Sequence, residues 1–208
     1  MQYGSSDIKS MDRIDRLKLI NSIAGIKPAN LIGTVDAHGH TNLAIFSSVV
    51  HLGSNPPYIA FVSRPRTEVT GHTYENIMAT GSYTINHVHP DFIKNAHYTS
   101  GKFDKAVSEF ERCGLTESYI PNVSAPFVAE SNFKMAMRFR KVIDIPLNGT
   151  VMIIGEVEHL IVPEDGIVEG DINLEASQSV GISGLNSYYK LEKIGHFPFV
   201  RLNETPEF

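Results

Sequence analysis

The sequence predicts a mainly β protein, an antiparallel β-barrel or sandwich with appended helices. Three observations carry this reading. Six or more strand-like runs are separated by turn residues, whereas only two or three segments have helical periodicity. Most of the strand-like runs follow one another through short turns, and helices do not alternate with strands, which disfavours a doubly wound parallel sheet. Neither G-x-G-x-x-G nor G-x-x-x-x-G-K-[ST] occurs, so any bound nucleotide must be held without a glycine-rich phosphate loop.

In residues 11–24, MDRIDRLKLINSIA, the spacing of Ile14, Leu17, Ile20 and Ile23 predicts an amphipathic N-terminal helix ending near Gly25 and Pro28. ANLIGTV and TNLAIFSSVV flank DAHGH, whose Asp36 and Gly39 suit a hairpin turn. YIAFVS follows Asn55-Pro56-Pro57, and TYENIMAT is a short helix for which Thr73 is placed as N-cap, leading into SYTINHV. Residues 91–117 turn helical and polar, with Phe103, Val107 and Phe110 on one face and Gly114 as a stop. FKMAMRFRKVI then alternates apolar with basic residues, and TVMIIGEVEHLIV is a long strand with Gly155 as a plausible bulge. Residues 171–208 are less regular, and GISGLNSYYKLEKIG reads as a loop with a short helix or strand. No repeat, low-complexity tract or long linker interrupts the chain, so one domain is expected over residues 1–208.

With 208 residues, 42% of them hydrophobic, the chain can bury a core of normal size. A net charge of −5 disfavours a nucleic-acid partner, which needs a basic face. No apolar run approaches the ~20 residues that span a bilayer, and the N-terminal sequence lacks a secretion signal, so a cytoplasmic protein is expected. The single Cys113 rules out an internal disulfide framework and reads as a small buried thiol.

The residues that can carry chemistry cluster in the first half. Ser47, Ser48 and Ser63 place hydroxyls in apolar strands beside a turn, where they can meet the carbonyls, hydroxyls or phosphate of a flavin. Arg64, Arg66, Thr67, Thr70, His72 and Thr73 then offer guanidinium forks, hydroxyls and a helix start, the donor set for a dianionic phosphate. A solvated basic loop with an ordinary cap is the competing reading. FMN is the leading candidate ligand. Tyr98, Phe103, Tyr188 and Tyr189 can cover a planar ring, although aromatics more often fill cores and interfaces. His38-x-His40 and His87-x-His89 with Asp91 invite a metal, but a turn and Pro90 spoil the spacing and no third ligand follows, so no metal is expected. Ser100 and Ser183 lack a nucleophile-elbow context, and Glu130 reads as a surface carboxylate by default.

In order along the chain, NLAIFSS at 42–48, SNPP at 54–57, HTYENI at 72–77, TGSYTIN at 80–86, TSGKFDK at 99–105, P-x-V within 121–126 and AES at 129–131 resemble the flavin reductase-like family with the FMN-binding split-barrel fold, which includes flavoredoxin-type proteins. The likeness covers roughly residues 20–200. It implies an antiparallel, Greek-key split barrel forming a homodimer, with flavin near the subunit interface. By that resemblance Ser47, Ser48, Val49 and Val50 line the isoalloxazine, partly through backbone groups, and Ser63, Arg64 and Thr73 hold the phosphate. The family often has Lys-Asp-Thr where this chain has Gly71-His72-Thr73; a neutral His72 attracts phosphate less, leaving Arg64 or Arg66 to compensate. His97, Tyr98 and Tyr189 are implied to approach the flavin from the partner subunit.

The function implied is an FMN-dependent oxidoreductase (FAD being possible) that passes reducing equivalents from NADH or NADPH to a flavin, ferric or protein acceptor. Hydride transfer through a flavin needs no general base, so the missing catalytic triad is expected. The alternatives are a flavin-binding electron carrier or flavin store without turnover and, ranked last, a histidine-based metalloenzyme.

Overall fold

The computed structural model describes residues 1–65 and 71–201. Its centre is one antiparallel sheet. Strands β1 (Asn30–Val35) and β2 (Thr41–Phe46) are joined by the expected hairpin, where Gly39 adopts φ 91° and the Asp36 carboxylate accepts the N–H groups of His38 and His40. There follow β3 (Val49–Ser54), β4 (Pro57–Ser63), β5 (Ser82–His87), β6 (Lys134–Ile145) and β7 (Thr150–Ile161). These seven strands pair in the order β2-β1-β5-β6-β7-β4-β3. The two edge strands are therefore β2 and β3, yet only Ser47 and Ser48 separate them in sequence. A sheet whose opposite edges are two residues apart must curl on itself, with the split lying at that link.

Both faces of β1 are covered, which is why Asn30–Thr34 are all buried. Ile32 points into the barrel with Phe61, Ile77, Tyr83, Ile85, Phe133, Met135, Met137, Val151 and Ile153. Leu31 points outward into a second core with Leu43, Phe92, Ala96, Phe110, Val128, Val180 and Ile182. On the outer face of β6 and β7 the basic residues are answered by acids: Arg138 pairs with Glu158 and Arg140 with Glu156. Gly155 does mark a bulge, since the β6–β7 register shifts between Ile154 and Gly155. A side chain there would strike the phenol of Tyr83, whose buried hydroxyl has no hydrogen-bond partner among the described residues.

The helices are α1 (Ser5–Ser10), α2 (Arg13–Ser22), α3 (His72–Thr80), α4 (Ile93–Tyr98) and α5 (Glu109–Cys113). The N-terminal helix stands where its spacing places it, with the Asp12 carboxylate capping the N–H groups of Ile14 and Asp15. Its apolar stripe of Ile14, Leu17, Ile20 and Ile23 is exposed rather than buried. The helical expectation for residues 91–117 is corrected to three short pieces: a 3-10 turn at Pro90–Phe92, then α4 and α5. The Thr99 and Ser100 hydroxyls bond back to the carbonyls of Ala96 and His97, which ends α4 early. Of the three residues expected on one helical face, only Phe110 is in a helix; Val107 is partly exposed. The irregular C-terminal region contains a hairpin of β8 (Val180–Ser183) and β9 (Ser187–Lys190), which forms a small sheet with Lys27–Pro28. Among the described residues no helix is long and apolar enough to cross a membrane.

Candidate functional site

Ser47 and Ser48 form the bend that links the sheet's two edges. Val49 pairs with Phe61, so the next step of the ladder would set Ser48 opposite Val62. Here the backbone turns away and the Ser48 hydroxyl completes the ladder: it donates to the Val62 carbonyl at 2.8 Å and accepts the Val62 N–H at 3.2 Å. The hydroxyl expected to face a ligand is thus committed to holding the bend against β4. Ser63 follows Val62 directly and is 7% exposed; among the described residues its hydroxyl has only a 3.5 Å contact to the Arg64 carbonyl. Arg64 is exposed. Val49 is half-buried, and Val50 is exposed together with Leu52 on the same edge strand. Arg66, Thr67 and Thr70 lie outside the described residues.

The chain returns at α3. Its N-cap is Gly71, at φ 121°, and not Thr73, which sits in the first helical turn after His72. Glycine fits because this positive φ strains any residue carrying a Cβ. His72 is half-buried. Thr73 is 6% exposed, and its hydroxyl accepts a hydrogen bond from the Asn42 amide at 3.2 Å. The same amide donates to Thr34, its hairpin partner, at 3.3 Å, and Asn76 on the next turn of α3 also donates to Thr34 at 3.1 Å. This buried polar seam ties the start of α3 to the β1–β2 hairpin. Asn42, Thr34 and Asn76 were not singled out in the sequence; polar side chains within apolar strands and on the buried face of a helix were the available signal.

His97, Tyr98 and Tyr189 form a separate group. The His97 ring packs edge-on against Tyr98 and Tyr188, and its Nδ1 lies 3.0 Å from the Tyr188 hydroxyl. Strand alternation turns Tyr188 onto the outer core and leaves Tyr189 exposed, as is Tyr98. Among the described residues no hydrogen bond or ring contact joins this group to the Ser47–Thr73 group. Phe103 leans over Gly101.

The histidine pairs have protein partners. His40 pairs with Asp36 at 3.1 Å inside the hairpin, and that carboxyl is held down at about 2, chiefly by the His40 N–H. His87 Nδ1 lies 2.7 Å from the Ser179 hydroxyl, and burial drives its pKa down to about 3, so the ring is neutral. His89 Nε2 accepts the Asn132 N–H. Among the described residues no three His, Cys, Asp or Glu side chains are grouped to hold a metal. Glu130 clamps the Thr116 N–H with both oxygens, a loop-fixing role. Cys113 is half-buried, and burial raises its thiol pKa.

Two surface hollows, of about 400 and 390 Å³, lie elsewhere, one at Thr80–Ser82 and Arg138, the other at residues 168–175 and 191–196. Neither contains an expected ligand residue. At the seam Ser47, Ser48 and Val49 are half-buried.

An antiparallel barrel sheet whose two edge strands are joined by a serine-bearing bend defines a split-barrel protein. A model of the flavin reductase like domain matches residues 26–172, and the chain belongs to that family. Among solved structures it is similar to a candidate flavin reductase with a split barrel domain from Shewanella frigidimarina NCIMB 400 (43% identity, 96% of this chain and 100% of that one, TM-score 0.92). Two more distant likenesses show the fold alone. Component B of nitrilotriacetate monooxygenase from Bacillus cereus matches at 20% identity over 95% of this chain and 98% of that one, with TM-score 0.83. Flavoredoxin of Desulfovibrio vulgaris (Miyazaki F) matches at 23% identity over 86% and 93%, with TM-score 0.70. Family and fold together support a flavin-linked oxidoreductase.

The residue types present suit a phosphorylated flavin; among the described residues no hydrogen bond joins Ser63 and Arg64 to Thr73. Arg64 supplies charge, and Ser63 has a hydroxyl without a strong partner. Thr73 has a hydroxyl whose oxygen accepts from Asn42 and whose proton has no acceptor among the described residues. Three donors of that kind suit a phosphate monoester.

Proposed function

We propose that the chain is an FMN-dependent oxidoreductase that draws reducing equivalents from NADH or NADPH and delivers them to a flavin, ferric or protein acceptor. The reading rests on one observation: in a flavin reductase-like chain, the bend at Ser47–Ser48 is locked by Val62 directly beside Ser63 and Arg64. In it, Ser47, Ser48, Val49 and Val50 line the flavin ring, while Ser63, Arg64 and Thr73, with His72 and with Arg66 and Thr67 of the intervening loop, hold its phosphate. A flavin bound there supplies hydride acceptance and onward electron transfer. The chain's own residues orient it, neutralise its phosphate charge through Arg64 and leave one ring face open.

The chain works as a homodimer in this reading. The edge strand beside the seam exposes Val50 and Leu52. A second copy laid on that edge would cover the flavin and bring His97, Tyr98 and Tyr189 to it. The whole chain then acts as one domain.

The test is an absorbance spectrum of the purified protein with FMN, followed by anaerobic addition of NADH and then NADPH. Bleaching of the flavin band by either nicotinamide is the expected result. Protein that stays colourless after FMN addition overturns the reading, and bound flavin that neither nicotinamide reduces identifies a carrier or store instead.

A further inference from the structure

We infer that Asn42 is a positioning residue: its buried amide orients the Thr73 hydroxyl so that this hydroxyl donates to the flavin phosphate. The inference rests on the phosphate reading above and adds the device that makes Thr73 a donor rather than an acceptor.

A threonine hydroxyl has one proton and two acceptor positions. Left alone at a helix start it can turn inward and spend its proton on protein. Here Asn42 fills one acceptor position with an N–H at 3.2 Å, from a side chain 7% exposed, and the oxygen's remaining proton is directed elsewhere. The amide cannot swing away freely, because its second N–H is spent on Thr34 at 3.3 Å. Thr34 cannot turn either, since it also accepts from Asn76 at 3.1 Å, and Asn76 sits three residues beyond Thr73 on the buried face of α3. The result is a chain of donors running from the helix, through the hairpin, back to the helix start. The Asn42 link occupies an acceptor position of the Thr73 oxygen, and among the described residues its proton has no acceptor, which leaves it available at the helix start beside the first-turn N–H groups.

The test compares FMN with riboflavin, which differs by the phosphate alone. Dissociation constants for both, from quenching of flavin fluorescence, are measured for the wild-type chain, Asn42→Leu, Asn42→Asp, Thr73→Val and the two double variants. Asn42→Leu removes the donor, and Asn42→Asp keeps the shape but forces the hydroxyl to donate inward. Each single variant is expected to weaken FMN about tenfold and riboflavin less than twofold. In the Thr73→Val background the Asn42 substitutions should add little, because the residue acts through that hydroxyl. A merely structural role would weaken both ligands alike. If Thr73→Val loses the preference for FMN and the Asn42 variants keep it, the inference falls and the phosphate reading stands. If Asn42 and Thr73 losses simply add, the inference also falls. If the wild-type chain does not prefer FMN over riboflavin, or Thr73→Val leaves that preference undiminished, the phosphate reading itself is overturned. Should Asn42→Leu fail to fold, Asn42→Asp and its double variant decide the matter.

Discussion

The two edges of the barrel sheet are finished in opposite ways. At β2 the chain seals its own edge: the Glu109 carboxylate accepts the Leu43 N–H at 3.0 Å, and Thr41 bonds Ser108 and Glu117. Phe110 packs against Leu43 in the outer core. A neighbouring strand is replaced there by a helix and a carboxylate. At β3 nothing in the described chain covers the edge, and Val50 and Leu52 face solvent. An unprotected apolar edge invites another chain, and on the dimer proposed above β3 is the side that meets the second copy. The Ser47–Ser48 bend joins the end of the sealed edge to the start of the open one.

The largest expected effect separates the edges directly. Phe110→Ala should lower stability by about 3–5 kcal/mol in urea unfolding, through loss of a fully buried ring. Leu52→Lys should change the unfolding of the isolated subunit by no more than ~0.5 kcal/mol and instead halve the mass in solution. Equal losses at the two positions would erase the contrast.

A smaller effect tests the seal. Burial raises the Glu109 pKa, so the folded chain holds that proton more tightly than the unfolded chain does. Its stability is therefore highest at low pH on this account and falls as pH rises through the usual carboxylate range toward the raised value. Glu109→Gln keeps an acceptor for Leu43 without the charge. The variant should flatten that slope and gain about 1 kcal/mol at neutral pH; a loss of similar size, seen by thermal unfolding across pH, would mean the ionised carboxylate is preferred.

The smallest effect is at the bend. Ser48→Ala leaves the Val62 N–H and carbonyl without their partner and should cost about 1 kcal/mol, with weaker FMN binding. Wild-type stability with unchanged binding would show that the bend is held by other means.

The strands were legible because their signals are local. Alternation in 134–145, the Asp36–Gly39 turn and the Gly155 bulge each depend on residues close in sequence. Residues 91–117 misled because their apolar spacing mimics one helix, while Thr99 and Ser100 bond back and break it. In the candidate site, residue types named a region without giving the structural roles its side chains take. Ser48 looked like a ligand group and proves to be the strut of the seam. Thr73 looked like a cap, a task that Gly71 takes through its backbone angle. Asn42 stayed hidden because its importance comes from Thr73, thirty-one residues away in sequence.

The central claim is that the serine seam beside the open edge binds flavin between two copies of the chain. Sedimentation velocity followed at the flavin absorbance band tests it most directly. The account predicts that FMN sediments with a particle of twice the 23.0 kDa chain, and that Leu52→Lys releases both the partner and the flavin. Flavin travelling with a 23.0 kDa particle, or remaining bound when Leu52→Lys has separated the subunits, would contradict it.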